Sequence, residues 1–68
     1  MSGREVVGAL TKLGYKIDRQ RGSHIVLRKG EPPHRRIVVP NHRELAKGTL
    51  RAIIRETGLT IDEFNALL

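Results

Sequence analysis

The stretch Tyr15-Lys16-Ile17-Asp18-Arg19-Gln20-Arg21-Gly22-Ser23-His24-Ile25-Val26-Leu27-Arg28 decides the fold. It begins with apolar and polar residues in alternation, breaks at Arg21-Gly22-Ser23 and resumes with a β-branched run. Period-two patterning on both sides of a Gly-Ser break signals a hairpin, with strands expected over Tyr15–Gln20 and His24–Arg28. Loop length decides which side chains share a face. A two-residue turn would set Gln20 opposite Ser23 and force Ile17 and Ile25 onto opposite faces. A three-residue loop pairs Gln20 with His24 and keeps both isoleucines inside. The three-residue register is therefore the expected one.

Working downstream, Gly30-Glu31-Pro32-Pro33 breaks the second strand and Arg36-Ile37-Val38-Val39 reads as a third, closed by Pro40 and Asn41. Leu50, Ile53 and Ile54 fall at i, i+3, i+4 and predict a helix over Lys47–Thr57, ended by Gly58. Thr60 and Glu63 have capping-box spacing, with Leu59 and Phe64 placed as a hydrophobic staple. Phe64, Leu67 and Leu68 are expected to return to the core. Upstream, Ser2 and Glu5 form another capping box ahead of Val6, Leu10 and Leu13, and Gly14 occupies the position of a left-handed C-terminal cap. Gly8 costs that helix roughly 1 kcal/mol relative to Ala, and a close backbone contact is one reason to keep it.

The order α-β-β-β-α-α predicts an α+β fold: a three-stranded antiparallel sheet with the helices on one face, residues 1–68 forming a single domain. If Ile17, Ile25, Leu27, Ile37 and Val39 face the helices, parity turns Lys16, Asp18, Gln20, His24, Val26, Arg28, Arg36 and Val38 toward solvent.

Charge narrows the ligand. Thirteen Lys and Arg against seven Asp and Glu give a net charge of +6. Eight of the basic residues lie between Lys12 and Arg36, and none follows Arg55. Such one-sidedness suits a polyanion, the alternative being a merely solubilising surface. Tyr15 and Phe64 are the only aromatic residues, and both fall at core positions. Readers of single strands that stack bases on an aromatic sheet are therefore disfavoured. With no cysteine, neither disulfides nor a cysteine-bearing zinc knuckle can staple the fold. No apolar run exceeds three residues, so no membrane segment or signal peptide is expected and a cytoplasmic location is the natural reading.

Three histidines could carry chemistry. Imidazole transfers protons near neutral pH, and RNA brings its own nucleophile in the 2′-hydroxyl, so a base and a few cations could suffice. His24 has the best setting. It follows Gly22, which permits close approach of a phosphate, and Ser23, which offers a hydroxyl, with Arg19, Arg21 and Arg28 nearby. Two roles stay open from position alone: a catalytic group, or an outward-facing histidine that touches solvent or phosphate. His34 beside Pro32-Pro33 reads as a loop residue and His42 as a surface turn residue near the second helix. Lys47-Gly48-Thr49 opens that helix, where free N–H groups and the dipole favour an anion; simple helix initiation is the competing reading. The carboxylates are scattered and no His-x-x-x-His spacing occurs, so neither a metal site nor a cofactor is expected.

Taken together, Arg21-Gly22-Ser23-His24, Ile37-Val38-Val39-Pro40, the run Glu44-Leu45-Ala46-Lys47-Gly48-Thr49-Leu50-Arg51-Ala52-Ile53-Ile54 and Gly58-Leu59-Thr60 closely resemble the HicA family of type II toxins. Leu13-Gly14-Tyr15 and the tail Glu63-Phe64 with Leu67-Leu68 fit as well. The resemblance implies a double-stranded-RNA-binding-domain-like fold and ribosome-independent cleavage of mRNA. The family's catalytic histidine falls on His24, as general acid or base. The resemblance also implies a HicB-type antitoxin that covers the site and carries the operator-binding domain, so no direct DNA binding is expected of the toxin alone. Arg19, Arg21, Gly22, Ser23, Arg28, Lys47, Gly48 and Thr49 are the expected RNA contacts. Two departures stand out: Ile25 follows the histidine where many relatives have a polar or aromatic residue, and the Gly30–Arg35 loop is not a family signature. The competing readings are a double-stranded-RNA-binding module without chemistry and a basic domain that docks an acidic protein.

Overall fold

The computed structural model describes residues 1–68, which run α1 (Gly3–Lys12), β1 (Tyr15–Arg21), β2 (His24–Lys29), β3 (Arg36–Pro40), α2 (Lys47–Thr57) and α3 (Ile61–Asn65). The strands form one antiparallel sheet in the order β1-β2-β3. The element order is the one expected from the sequence.

Both capping boxes form. The Ser2 hydroxyl accepts from the Glu5 amide at 3.1 Å while the Glu5 carboxylate accepts from the Ser2 amide at 2.9 Å. Thr60 and Glu63 repeat this at α3, also at 3.1 and 2.9 Å. Each box satisfies two amides that the first turn of a helix leaves without intrahelical partners. At the C-terminal ends of α1 and α2, Gly14 and Gly58 adopt φ of 96° and 79°, the left-handed region that only glycine enters at little cost.

The core gathers Val6, Ala9 and Leu10 of α1, Tyr15, Ile25, Leu27, Ile37 and Val39 of the sheet, Leu45, Ile53 and Ile54, and Phe64. Phe64 is fully buried, so the five-residue α3 is held by one aromatic side chain and its cap. Leu13, Leu50 and Leu67 pack at the margin. Leu68 does not return to the core as expected; it is 54% exposed.

The first hairpin departs from the expected register. The turn has two residues, Gly22 and Ser23, so Arg21 pairs with His24 and Gln20 with Ile25. Gly22 has φ 53°, the sign a type II′ turn requires at its first central position. Parity is restored by a β-bulge between Ile17 and Arg19, after which Ile17 pairs with Leu27. One extra residue in a strand reverses its alternation. The bulge thus lets a two-residue turn coexist with Ile17 on the helix side. Ile17 is nevertheless 55% exposed, because β1 is an edge strand and α1 covers only part of it. Gln20, expected outward, shares the inner face with Ile25, and Arg19 and Arg21 take the outer face.

Close backbone approach occurs at Gly3 and not at Gly8. A Cβ at Gly3 would overlap the Pro40 carbonyl oxygen, whereas one at Gly8 would meet nothing. The Gly3 amide donates to the His42 carbonyl at 2.9 Å, which docks the start of α1 onto the end of β3. No helix is long and apolar enough to cross a membrane.

Candidate nucleic-acid interface

The site begins at the β1–β2 turn. His24 opens β2, opposite Arg21 on one side and Pro40 on the other. Its neighbour Ile25 is buried, so alternation turns the His24 ring to the open side of the sheet. The imidazole is exposed and makes no hydrogen bond within the protein. Ser23 is tied down through its backbone: its carbonyl accepts from the Asn41 amide at 2.6 Å. The chain beyond β3 therefore braces the turn, and α1 braces that chain through Gly3 and His42.

Around this ring the bulge assembles a cationic surface. Arg19 pairs with Val26, Arg21 with His24, and Arg28 with both Lys16 and Arg36. Residues directly opposite share a face, so Lys16, Arg19, Arg21, Arg28 and Arg36 line the same side as His24. Asp18 is the one acidic strand residue there, and its carboxylate lies 3.9 Å from Arg36 Nε. The other four cations have no ion-pair partner in the protein. Val26 and the half-exposed Val38, themselves paired, form the apolar centre of this face.

The second candidate group, Lys47, Gly48 and Thr49, stands at the start of α2. Its cap residue is Ala46, which offers no side-chain acceptor, and the first turn holds no acidic residue. The leading amides of α2 are thus free of the carboxylates that occupy α1 and α3, and the positive end of the dipole is open. The C-terminal end of α2, Arg55 to Gly58, borders a cleft with Tyr15, Lys29 and Arg35. At its other end the Leu45 amide, two residues before α2, donates to the Met1 carbonyl at 2.8 Å, and Gly3 lies against Pro40, so α2 starts near the end of β3. Yet α2 packs against the buried side of β3. The two groups meet one end of the sheet from opposite sides, and no hydrogen bond or ion pair joins them.

His34 lies on the β2–β3 loop and His42 just beyond Asn41, whose amide donates to the Ser23 carbonyl, and no three His, Asp or Glu side chains converge. Two glutamates have acid strengths that depart from the ordinary. Glu5 and Glu63 are held below the usual carboxylate range, first by the amides of Ser2 and Thr60 and then by their hydroxyls. Both belong to helix caps.

What sequence reasoning missed is the bracing: Gly3, Pro40 and Asn41 carry no chemistry in their side-chain types. The Arg19 and Arg21 orientation was also out of reach, since a bulge leaves no compositional mark.

A helix-backed sheet whose open face carries an exposed histidine among unpaired cations defines a small basic α+β protein suited to a polyanionic surface. Residues 3–59 match the family model described as "HicA toxin of bacterial toxin-antitoxin". The chain belongs to this family and is the toxin component of a toxin–antitoxin system, which pairs with an antitoxin. No curated protein matches the chain.

Proposed function

We propose that this toxin is an endoribonuclease that cleaves mRNA on the open face of its sheet, independently of metal and ribosome, with His24 as general acid/base. The supporting observation is the exposed His24 imidazole directly opposite Arg21 on a face with four unpaired cations. A base must reach the proton it takes, and cations must stand where phosphate charge builds.

In this reading His24 takes the proton of the ribose 2′-hydroxyl. That oxygen attacks the adjacent phosphorus, the bond to the 5′-oxygen breaks, and the leaving oxygen takes a proton from water. Arg21 and Arg19 neutralise the phosphate as charge accumulates, while Arg28, four residues along β2 from His24, meets the RNA backbone farther along the face. Gly22 lets the backbone approach, and Ser23 supplies a hydroxyl. Lys47, Gly48 and Thr49 hold a further phosphate at the start of α2, where amides and dipole point outward. The protein works in the cytoplasm as a single domain, and a HicB-type antitoxin silences it by covering the His24 face. DNA contact is left to that antitoxin.

Incubating the purified protein alone with RNA, beside His24→Ala, tests the reading: only the unsubstituted protein should yield products. A second reading, RNA binding without cleavage, is favoured by one observation: no protein group orients the His24 ring. It predicts salt-dependent binding, no products, and little change in His24→Ala.

A further inference from the structure

The open face does not end at His24. At its far end, β1, β2 and the β2–β3 loop border an open cleft of about 350 Å³ lined by Lys16, Asp18, Arg28 and His34, with backbone from Gly30. We propose that Lys16, Arg28 and His34 form a second phosphate-binding subsite, which holds the RNA backbone a few nucleotides from the bond that His24 attacks. The proposal rests on the reading of this face as an RNA surface and extends it to residues outside the His24 turn.

The chemistry of the lining is specific. Lys16 and Arg28 are direct cross-strand partners, so their cationic heads rise from adjacent points of one face. Neither has an acidic partner. Asp18 is the opposing charge in the cleft, and its carboxylate lies 3.9 Å from Arg36 Nε. Lys29 also borders the cleft, but its ammonium lies 5.0 Å from the Tyr15 ring centroid and is drawn to the inner side.

His34 supplies the third group. Its Nδ1 lies 3.0 Å from the Lys29 carbonyl oxygen. A carbonyl only accepts, so Nδ1 carries a proton; Nε2, which has no protein partner, donates to a phosphate oxygen when the ring is doubly protonated and otherwise reaches it through a bridging water. The loop commits backbone to this placement: the His34 amide donates to the Glu31 carbonyl at 2.8 Å, and φ is 56°. A cleft of this volume takes a phosphate group together with hydrating waters, each needing about 30 Å³.

The spacing matches a polynucleotide and not an isolated anion. His24 and Arg28 are four residues apart on β2, about 13 Å at strand rise. With strand phosphates about 3.4 Å apart along a helix axis, that distance covers a few nucleotides of one strand.

The test uses full-length protein and two RNAs, a trinucleotide and an oligomer of about ten nucleotides, with affinities measured by fluorescence anisotropy in the His24→Ala background. Lys16→Ala combined with His34→Gly should weaken the long RNA about fivefold or more and leave the trinucleotide unchanged. Its salt slope should also fall by about 0.7 for each phosphate no longer neutralised. Glycine is chosen at position 34 because it takes positive φ without strain, and circular dichroism confirms that each variant is folded. Equal losses for both RNAs, or no loss for either, overturn the subsite while leaving the nuclease intact. Absence of both binding and cleavage in the unsubstituted protein instead removes the functional reading beneath it. If the double variant does not fold, Lys16→Ala alone carries the test, with a long-RNA slope reduced by about 0.7 in support and an unchanged slope against.

Discussion

Arg21 and His24 are direct cross-strand partners with only Gly22 and Ser23 between them. Their Cβ atoms stand about 5 Å apart on one face, so a phosphate held by the guanidinium lies within the imidazole's reach. His24→Ala should lower RNA cleavage by at least about 100-fold, the usual scale of a general acid–base group. Because the ring is exposed and unbonded, stability should stay within about 0.5 kcal/mol. Single-turnover cleavage and a urea melt check both halves. A fully active variant would refute the assignment.

The substrate offers a complementary test. If the 2′-hydroxyl is the nucleophile, an oligomer with a single 2′-deoxy sugar at the cleavage position should bind normally and remain uncut there. Gel electrophoresis of end-labelled RNA reads this directly; cutting at the deoxy position would point to water as the nucleophile.

The bulge makes a prediction about neighbours in sequence. Arg19→Ala and Arg21→Ala should each weaken RNA binding at low salt and reduce the slope of log K against log salt by about 0.7. Gln20→Ala, between them but turned to the inner face, should leave the slope unchanged. An effect of Gln20 equal to that of the arginines would mean that β1 meets RNA in a different register.

Glycines 3 and 8 should respond oppositely to alanine. Gly3→Ala drives a Cβ into the Pro40 carbonyl, and overpacking of this kind costs about 1–3 kcal/mol. For a domain this small each kcal/mol moves Tm by about 4–8 °C. Gly8→Ala meets nothing and should stabilise α1 by up to about 1 kcal/mol. Thermal melts of the two variants decide it.

Acid should weaken the fold through its caps. Glu5 and Glu63 are held below the usual carboxylate range by the Ser2 and Thr60 amides and hydroxyls. A depressed folded value means that their contribution is complete above the ordinary glutamate value, about 4.3. It is lost as the pH falls below that value and through the folded one. Stability measured from pH 6 down to about pH 2 should fall less steeply in Glu5→Gln/Glu63→Gln than in the unsubstituted chain.

How far the sequence speaks for the structure differs by element. The α2 boundaries, Lys47–Thr57, match those expected because periodicity and the Gly58 stop are local signals. The same holds for both capping boxes. His24 was legible as outward because Ile25 and Leu27 on its own strand mark the buried face. The β1 register was not, because turn length and bulge compensate each other: a shorter turn plus one extra residue keeps Ile17 with Leu27, as the longer loop would have done. Only cross-strand pairing distinguishes the two: Arg19 and Gln20 change sides, and Arg21 moves from the loop into the strand. The role of Gly3 was likewise hidden, since its neighbour Pro40 is distant in sequence.

The bulge also leaves β1 one residue longer than its pairing with β2 requires. The surplus position is Asp18, the sole negative charge among the outward strand residues. Excising it would straighten the edge, keep every other side chain on its present side, and strip the surface of the one group that repels phosphate. Attraction for polyanions in this architecture is therefore adjustable by omission of a residue, with the apolar interior left untouched.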